Sequence, residues 1–308
     1  MNISRTRAHL AVISANLLFG INYSMVKVVT PLHMSSFALN VARLVVSVPL
    51  FWVLFLFRPS KASRAGIDKE DVPRFILCSI CGVAINQLLF IKGLSMTSTI
   101  HGSLLALGTP IFITACAAWL LREKLTINKA LGLVLGVSGA FLLIMARTGP
   151  SDKASNWLGD VYIIINSISY AFYFVWVRPL MEKYNPVHVI RWIFTIGSLF
   201  ILPFGIIDFA ETSFLSFSAQ TWIALLFVTL GATFFSYLLN IVGLKFLGPG
   251  ITGTYIYTQP LFAAFIGILF LGEHLGVSQI VAAVLIVAGV LLVNDKLPFR
   301  KKPEAMAS

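Results

Sequence analysis

Residues Ile91 to Thr126, IKGLSMTSTIHGSLLALGTPIFITACAAWLLREKLT, return as Ile241 to Gly276, IVGLKFLGPGITGTYIYTQPLFAAFIGILFLGEHLG, at a constant offset of 150 residues. Gly93 and Leu94 recur as Gly243 and Leu244, Pro110 as Pro260, Phe112 as Phe262 and Glu123 as Glu273, without a gap. Repeated leucines mean little in an apolar chain. A proline followed thirteen positions later by a glutamate is specific, because the whole sequence has only six Glu. The offset extends downstream through Gly139 and Gly289 and upstream to Asn16 with Asn166 and Tyr23 with Tyr173. The chain therefore reads as an internal duplication, with halves at residues 1–146 and 157–295, a linker at 147–156 and a basic tail at 296–308.

The medium of the fold follows from composition. Of 308 residues, 58% are hydrophobic and 11% charged, against about a quarter charged in ordinary globular domains. A span needs about 20 mainly apolar residues to cross about 30 Å of hydrocarbon. Ten stretches qualify: Ala8 to Val29, Phe37 to Phe57, Phe75 to Leu94, Thr99 to Leu121, Ile127 to Ala146, Trp157 to Val177, Val187 to Phe209, Trp222 to Phe246, Ile251 to Leu271 and Val277 to Asn294. The expected fold is an all-α polytopic membrane protein with five spans in each half. Arg5 and Arg7 precede a segment of full spanning length, so the first span reads as retained rather than cleaved. Cys78, Cys81 and Cys116 lie within apolar runs and read as small core residues, with neither a disulfide framework nor a second ligand pair for a metal. No cofactor is expected.

Charge sets the orientation. Of 23 Lys and Arg, 18 fall on one side of a ten-span path, which places both termini in the cytoplasm, with a bacterial plasma membrane the expected site. The net charge of +11 is then a topology signal and not a nucleic-acid surface. A unit of five spans re-enters the membrane upside down when duplicated, so the halves are expected to be inverted repeats. Such repeats place a site near the midplane and expose it alternately to each side. The loops are too short for a soluble catalytic domain, so the work has to be done inside the bundle.

Polar groups within spans are costly and mark function or helix association. In the first span Asn16, Gly20, Tyr23 and Lys27 form one helical stripe, and Asn166, Tyr170 and Tyr173 repeat it in the sixth. These stripes either line a cavity or hydrogen-bond between helices. Arg43 lies within the second span and His101 one turn into the fourth. Tyr255, Tyr257 and Gln259 precede Pro260 in the ninth, and Tyr237 lies between Ser236 and Asn240 in the eighth. Aromatic rings with polar tips suit a pocket that holds and releases a small molecule. Pro110 and Pro260 each free a carbonyl one turn earlier, near Ala106 and Ile256, and are expected to kink the helix as hinges. Glu123 and Glu273 end the fourth and ninth spans on opposite sides. The expected latches pair Glu273 with Arg43 or Lys27, and Glu123 with Arg191 or Arg178; snorkelling side chains with no fixed partner are the alternative. Gly132, Gly136 and Gly139 mark close packing of the fifth span, within the chain or between subunits.

Two five-span halves, F-G-x-N-Y in the first span, Arg43 in the second, G-L after the third, and P-x-F followed by R-E-K and L-G-E together resemble the drug/metabolite transporter superfamily, and within it the bacterial ten-span EamA exporters. The resemblance covers about residues 8–146 and 157–295. It implies a carrier for small metabolites, often exporting amino acids or related compounds through a cavity between the halves, with Arg43, Pro110, Glu123, Pro260 and Glu273 at recurrent family positions. Relatives carrying sugar phosphates use cationic pockets, which Lys27 and Arg43 leave open. The expected partners are a small-molecule substrate and the lipid bilayer, with the chain a monomer or homodimer. Rival readings are an intramembrane enzyme, which needs a catalytic constellation that the spans lack, and a receptor or scaffold, which needs no inverted duplication.

Overall fold

The computed structural model describes residues 5–30, 32–57, 66–120, 126–145 and 156–293. Among these the structure is helical with no strand. The first two spans are α1 (Arg5–Val29) and α2 (Ser36–Phe57). The third is α3 (Val72–Ser79), a π-helical segment at Ile80–Ile85, and α4 (Asn86–Met96). The fourth is split into α5 (Thr99–Ala106) and α6 (Thr109–Leu120), and the fifth is α7 (Ile127–Met145). In the second half, α8 (Trp157–Lys183) and α9 (Pro186–Ala210) are followed by α10 (Ala219–Leu226), a π-helical segment at Phe227–Phe235 and α11 (Ser236–Thr254). A single 3-10 turn at Tyr255–Thr258 leads into α12 (Gln259–Leu271), and α13 (Val277–Val293) closes the described chain.

Seven helical stretches are long and apolar enough to cross a membrane, and three shorter apolar helices lie at 130–142, 255–271 and 277–289. The protein is an all-α polytopic membrane protein. Phe141, Val134, Phe204, Phe265 and Val284 are more than half exposed, the pattern expected where lipid rather than water is the solvent.

The helix pairing keeps the 150-residue correspondence. Helices α7 and α13 pack together, as do α2 and α9, each helix against its own counterpart. The pair α4 and α8 is matched by α11 and α1, and the pair α6 and α8 by α12 and α1. Both π-helical segments also correspond, since 80–85 shifted by 150 falls within 227–235.

Pro110 and Pro260 do more than kink a helix. Each stands at the second position of a new one, α6 and α12, after the preceding helix has stopped. A proline at that position lacks only an N–H that had no partner anyway. The carbonyls left over are met locally: the Thr109 hydroxyl donates to Ala106 O at 2.7 Å and the Thr258 hydroxyl to Tyr255 O at 2.7 Å. The sequence expectation of a bent continuous helix is thus corrected to a break closed by a threonine, because hydrocarbon offers no water to satisfy an open carbonyl.

The glycines of α7 pack within the chain. A Cβ on Gly289 would lie 2.6 Å from Gly132 O and 2.7 Å from Gly136 N, and one on Gly139 would lie 2.9 Å from Ala282 O. These are backbone neighbours that cannot rotate away, so the two helices touch only because side chains are missing. Gly289→Ala is expected to push α13 off α7 and cost about 1–3 kcal/mol, seen as a lower unfolding midpoint in detergent. Val284→Ala, on the exposed face of the same helix, should leave that midpoint nearly unchanged.

Candidate functional site

A chamber opens between the halves beside the two helix breaks at Thr109 and Gln259. Its walls come from both halves: Asn16, Phe19 and Asn22 of α1, Asn86, Gln87 and Phe90 of α4, Asn166, Tyr170 and Phe174 of α8, and Tyr237 and Asn240 of α11. Ala106 and Ile256, where the sequence expects freed carbonyls, both line it, as do Thr109 and Gln259 beside the two prolines. The cavity between these side chains is about 120 Å³, below the range of about 300–1,000 Å³ typical of small-molecule sites.

The two asparagine stripes reach across the halves. Asn16 accepts a hydrogen bond from Gln259 at 2.7 Å and donates to Val12 O at 2.8 Å. Its counterpart Asn166 accepts one from Asn86. The stripe residues are therefore both helix-bridging and part of the chamber wall. Arg43 is 4% exposed and lines the chamber.

The chamber continues towards the end where Arg178 lies. A second cavity of about 460 Å³ shares Tyr170, Phe174, Tyr237 and Asn240 with it and runs to Arg178, Glu182 and Asn185, where α8 gives way to α9. Arg178 and Glu182 are 67% and 70% exposed, so this cavity reaches the surface. Tyr173, stacked on Tyr170 with ring centroids 5.5 Å apart, lines this outer part and not the chamber.

The opposite end is sealed by Glu273. Gly272 has φ +63°, a conformation that side chains disfavour. It turns the chain back so that Glu273 N donates to Gly267 O at 3.1 Å. The carboxylate, 7% exposed, then accepts from the backbone N–H of Thr99 at 2.7 Å and of Ile100 at 2.9 Å. Ser98 caps the next free N–H, that of His101, at 3.1 Å. A carboxylate from one half thus sits on the positive N-terminus of a helix from the other. The expected pairing with Arg43 is corrected. Arg43 donates instead to the Thr233 hydroxyl at 2.8 Å. Lys27 lies within reach of the Glu273 charge without closing to an ion pair. The backbone amides win because they are fixed in place and otherwise unsatisfied in a dry environment.

His101 belongs to this sealed end and not to the chamber. It is fully buried, with Nδ1 3.4 Å from Asp160 Oδ1, which also accepts from the Thr97 hydroxyl at 2.6 Å. Asp160 lies at the start of α8 and is itself fully buried. Tyr255 also stands outside the chamber wall, its hydroxyl 2.8 Å from His9 Nδ1, and Tyr257 packs half-buried against the core. Rotation in the 3-10 turn, with three residues per turn instead of 3.6, takes these rings off the face that carries Ile256 and Gln259.

At the open end, Glu123 lies outside the described residues. Arg178 pairs with Glu182 on its own helix at 3.4 Å. Arg191 is held elsewhere: its guanidinium lies 3.3 Å from the Phe55 ring centroid and 4.6 Å from that of Trp52, and it donates to His188 Nδ1 at 2.8 Å. A planar, weakly hydrated cation stacks on aromatic faces more readily than an ammonium does. Sequence reasoning passed over Asn22, Asn86, Gln87 and Thr252 in the chamber wall and Thr233 behind Arg43. The adjacent amides Asn86 and Gln87 in an apolar span were the available signal.

A helical bundle that spans a membrane and encloses a two-sided polar chamber, open at one end, defines a membrane transporter. The sequence profile of the EamA-like transporter family matches residues 6–145 and again 157–295, and the chain belongs to that family. It is 25% identical over 287 residues to an uncharacterized transporter, YoaV, of Bacillus subtilis, covering 92% of this chain and 95% of that one. It is 22% identical over 297 residues to an uncharacterized transporter of Archaeoglobus fulgidus, covering 94% and 98%. A crystal structure superposes with a TM-score of 0.61 at 17% identity, covering 94% of this chain and 96% of the other, a likeness of fold.

Removing the seal exposes its energy. Glu273→Ala leaves two buried N–H groups without an acceptor and is expected to cost about 1–3 kcal/mol, read as a lower unfolding midpoint, with Glu273→Gln intermediate because one acceptor oxygen remains.

Proposed function

We propose that the protein is a secondary transporter that exports small polar metabolites such as amino acids or related compounds by alternating access. The observation that carries this reading is the chamber between the halves, continuous with the surface at the Arg178 and Glu182 end, with Glu273 bonded to the N-terminus of α5 at the other. In the scheme of ten spans and two inverted repeats, residues 1–146 and 157–295, the closed end corresponds by symmetry to an open one in the alternate conformer. The Lys and Arg asymmetry puts the open end, both termini and the 296–308 tail in the cytoplasm of a bacterial inner membrane. This conformer then loads from inside, as an exporter must.

The contacts that have to break are few and polar. Hydrogen bonds to a charged group contribute about 1.5–3 kcal/mol and neutral ones about 0.5–1.5 kcal/mol each. Glu273 on α5 holds the closed end by two such bonds, a few kcal/mol that thermal motion crosses, while the bridges from Asn16 to Gln259 and Asn86 to Asn166 join the halves in the chamber wall. The apolar contact of α7 with α13 stays as the pivot. One chain contains the whole chamber, so a monomer suffices.

Counterflow in proteoliposomes tests the reading. Vesicles loaded with a mixed pool of amino acids should accumulate labelled members of the pool above protein-free controls, with and without a pH gradient. Saturable binding without flux, from folded and inserted protein, would make it a receptor instead.

A further inference from the structure

The chamber contains a fixed positive charge with no counter-ion among the described residues. Arg43 forms no ion pair among the described residues. Its Nε donates to Thr233 Oγ1 at 2.8 Å, while the Thr233 hydroxyl donates onward to Val228 O at 2.7 Å. That second bond leaves the threonine oxygen an acceptor facing the guanidinium. One edge of Arg43 is thereby fixed. Its Nη1 is buried with no partner. Asn22 Oδ1 and Thr252 Oγ1 are among the other polar atoms of chamber residues that are buried and unmatched, with Nε2 and Oε1 of Gln87.

No Asp or Glu is among the residues that line the chamber. Asp160 and Glu273 are engaged at the sealed end, and Glu182 is paired with Arg178 at the mouth. A buried cation with no counter-ion is expensive, and within a membrane it is retained where it faces a pathway and meets a charge from outside the chain. A guanidinium tied through Nε and left with an unpartnered Nη1 keeps an N–H donor for a carboxylate. One cation balances one negative charge. A phosphate monoester brings close to two, and Lys27, in α1, lies near Glu273 and not in the chamber wall.

We propose that Arg43 anchors the substrate and that the substrate is a small carboxylate of net charge zero or −1, a neutral amino acid or a related monocarboxylic acid. Its carboxylate sits on the free edge of Arg43, Asn22 and Thr252 meet its second polar group, and its carbon skeleton lies against Phe19, Phe90 and Phe174. Organic cations are repelled, since the wall offers them no carboxylate. Thr233 is a positioning residue. This assignment rests on the transporter reading for its meaning, but its test separates the two.

The test compares matched probes on the full-length wild-type protein: L-leucine, L-phenylalanine and L-glutamine, their carboxamides, which lack the carboxylate, the amines of the same skeletons, isovalerate and glucose 6-phosphate. Binding is read as a shift in the unfolding midpoint in detergent and transport as counterflow. At least one carboxylate is expected to stabilise the protein and to exchange, while its carboxamide and amine do neither. Arg43→Gln should raise the concentration needed for half the stabilisation by about 10- to 100-fold, and Arg43→Lys should recover part of that loss. Carboxamides or amines acting as well as the acids, glucose 6-phosphate acting in their place, or no response to any carboxylate would overturn the anchor. So would a folded Arg43→Gln protein that binds the acids as wild type does. If Arg43→Gln does not fold, the wild-type comparison decides alone. Carboxylate binding without flux would leave the anchor standing and remove the transporter reading; flux of amines would do the reverse.

Discussion

Hydrocarbon supplies no hydrogen bonds, so each backbone group released from a helix inside the membrane must find a partner within the protein. The interior of this molecule is arranged around four such releases. Two are the breaks before Pro110 and Pro260, where Thr109 and Thr258 take up the loose carbonyls. Two are the π-helical segments, in one of which the Thr233 hydroxyl also bonds Val228 O. All four lie on or beside the chamber, the one region where irregular backbone can face polar groups instead of lipid. The N-terminus of α5 adds a further set of open N–H groups, and Glu273 closes it.

That closure links energetics to motion. A salt bridge between long side chains can re-form in many geometries, but a carboxylate on two fixed backbone amides has one. The contact is therefore either made or broken, which is what a two-state gate requires. The glycine seam between α7 and α13 supplies the opposite property, a backbone-to-backbone surface with no side chain to rearrange. On the proposed alternating-access reading, this rigid seam would be the pivot and the polar closures the contacts that change.

Much of this was legible in the sequence and some was not. The duplication, the all-α membrane class and the family could be read from Pro110 with Pro260, Glu123 with Glu273 and the apolar runs, because hydropathy and spacing survive without side-chain contacts. The partners of single residues could not. Glu273 was read against cations, since a sequence displays charges but hides unsatisfied backbone amides. His101 was read into a cavity because Asp160, its neighbour at the sealed end, lies 59 residues away in the chain at the edge of a span. Arg191 was read as a gate cation because aromatic faces from α2 have no motif. The helical stripe of Asn16 and Tyr23 did place both in the chamber wall, whereas the 3-10 turn took Tyr255 and Tyr257 off theirs by changing the residues per turn.

The central claim is that the two ends of the chamber are coupled through Glu273, and pulsed electron paramagnetic resonance distances test it without knowledge of the substrate. One spin-label pair spans the sealed end at Trp157 and His274, and another spans the open end at Arg5 and Glu182, all exposed positions. Introducing Glu273→Ala is predicted to lengthen the first distance and shorten the second in the same sample. A lengthened first distance with the second unchanged, or no change in either, would contradict alternating access through this gate.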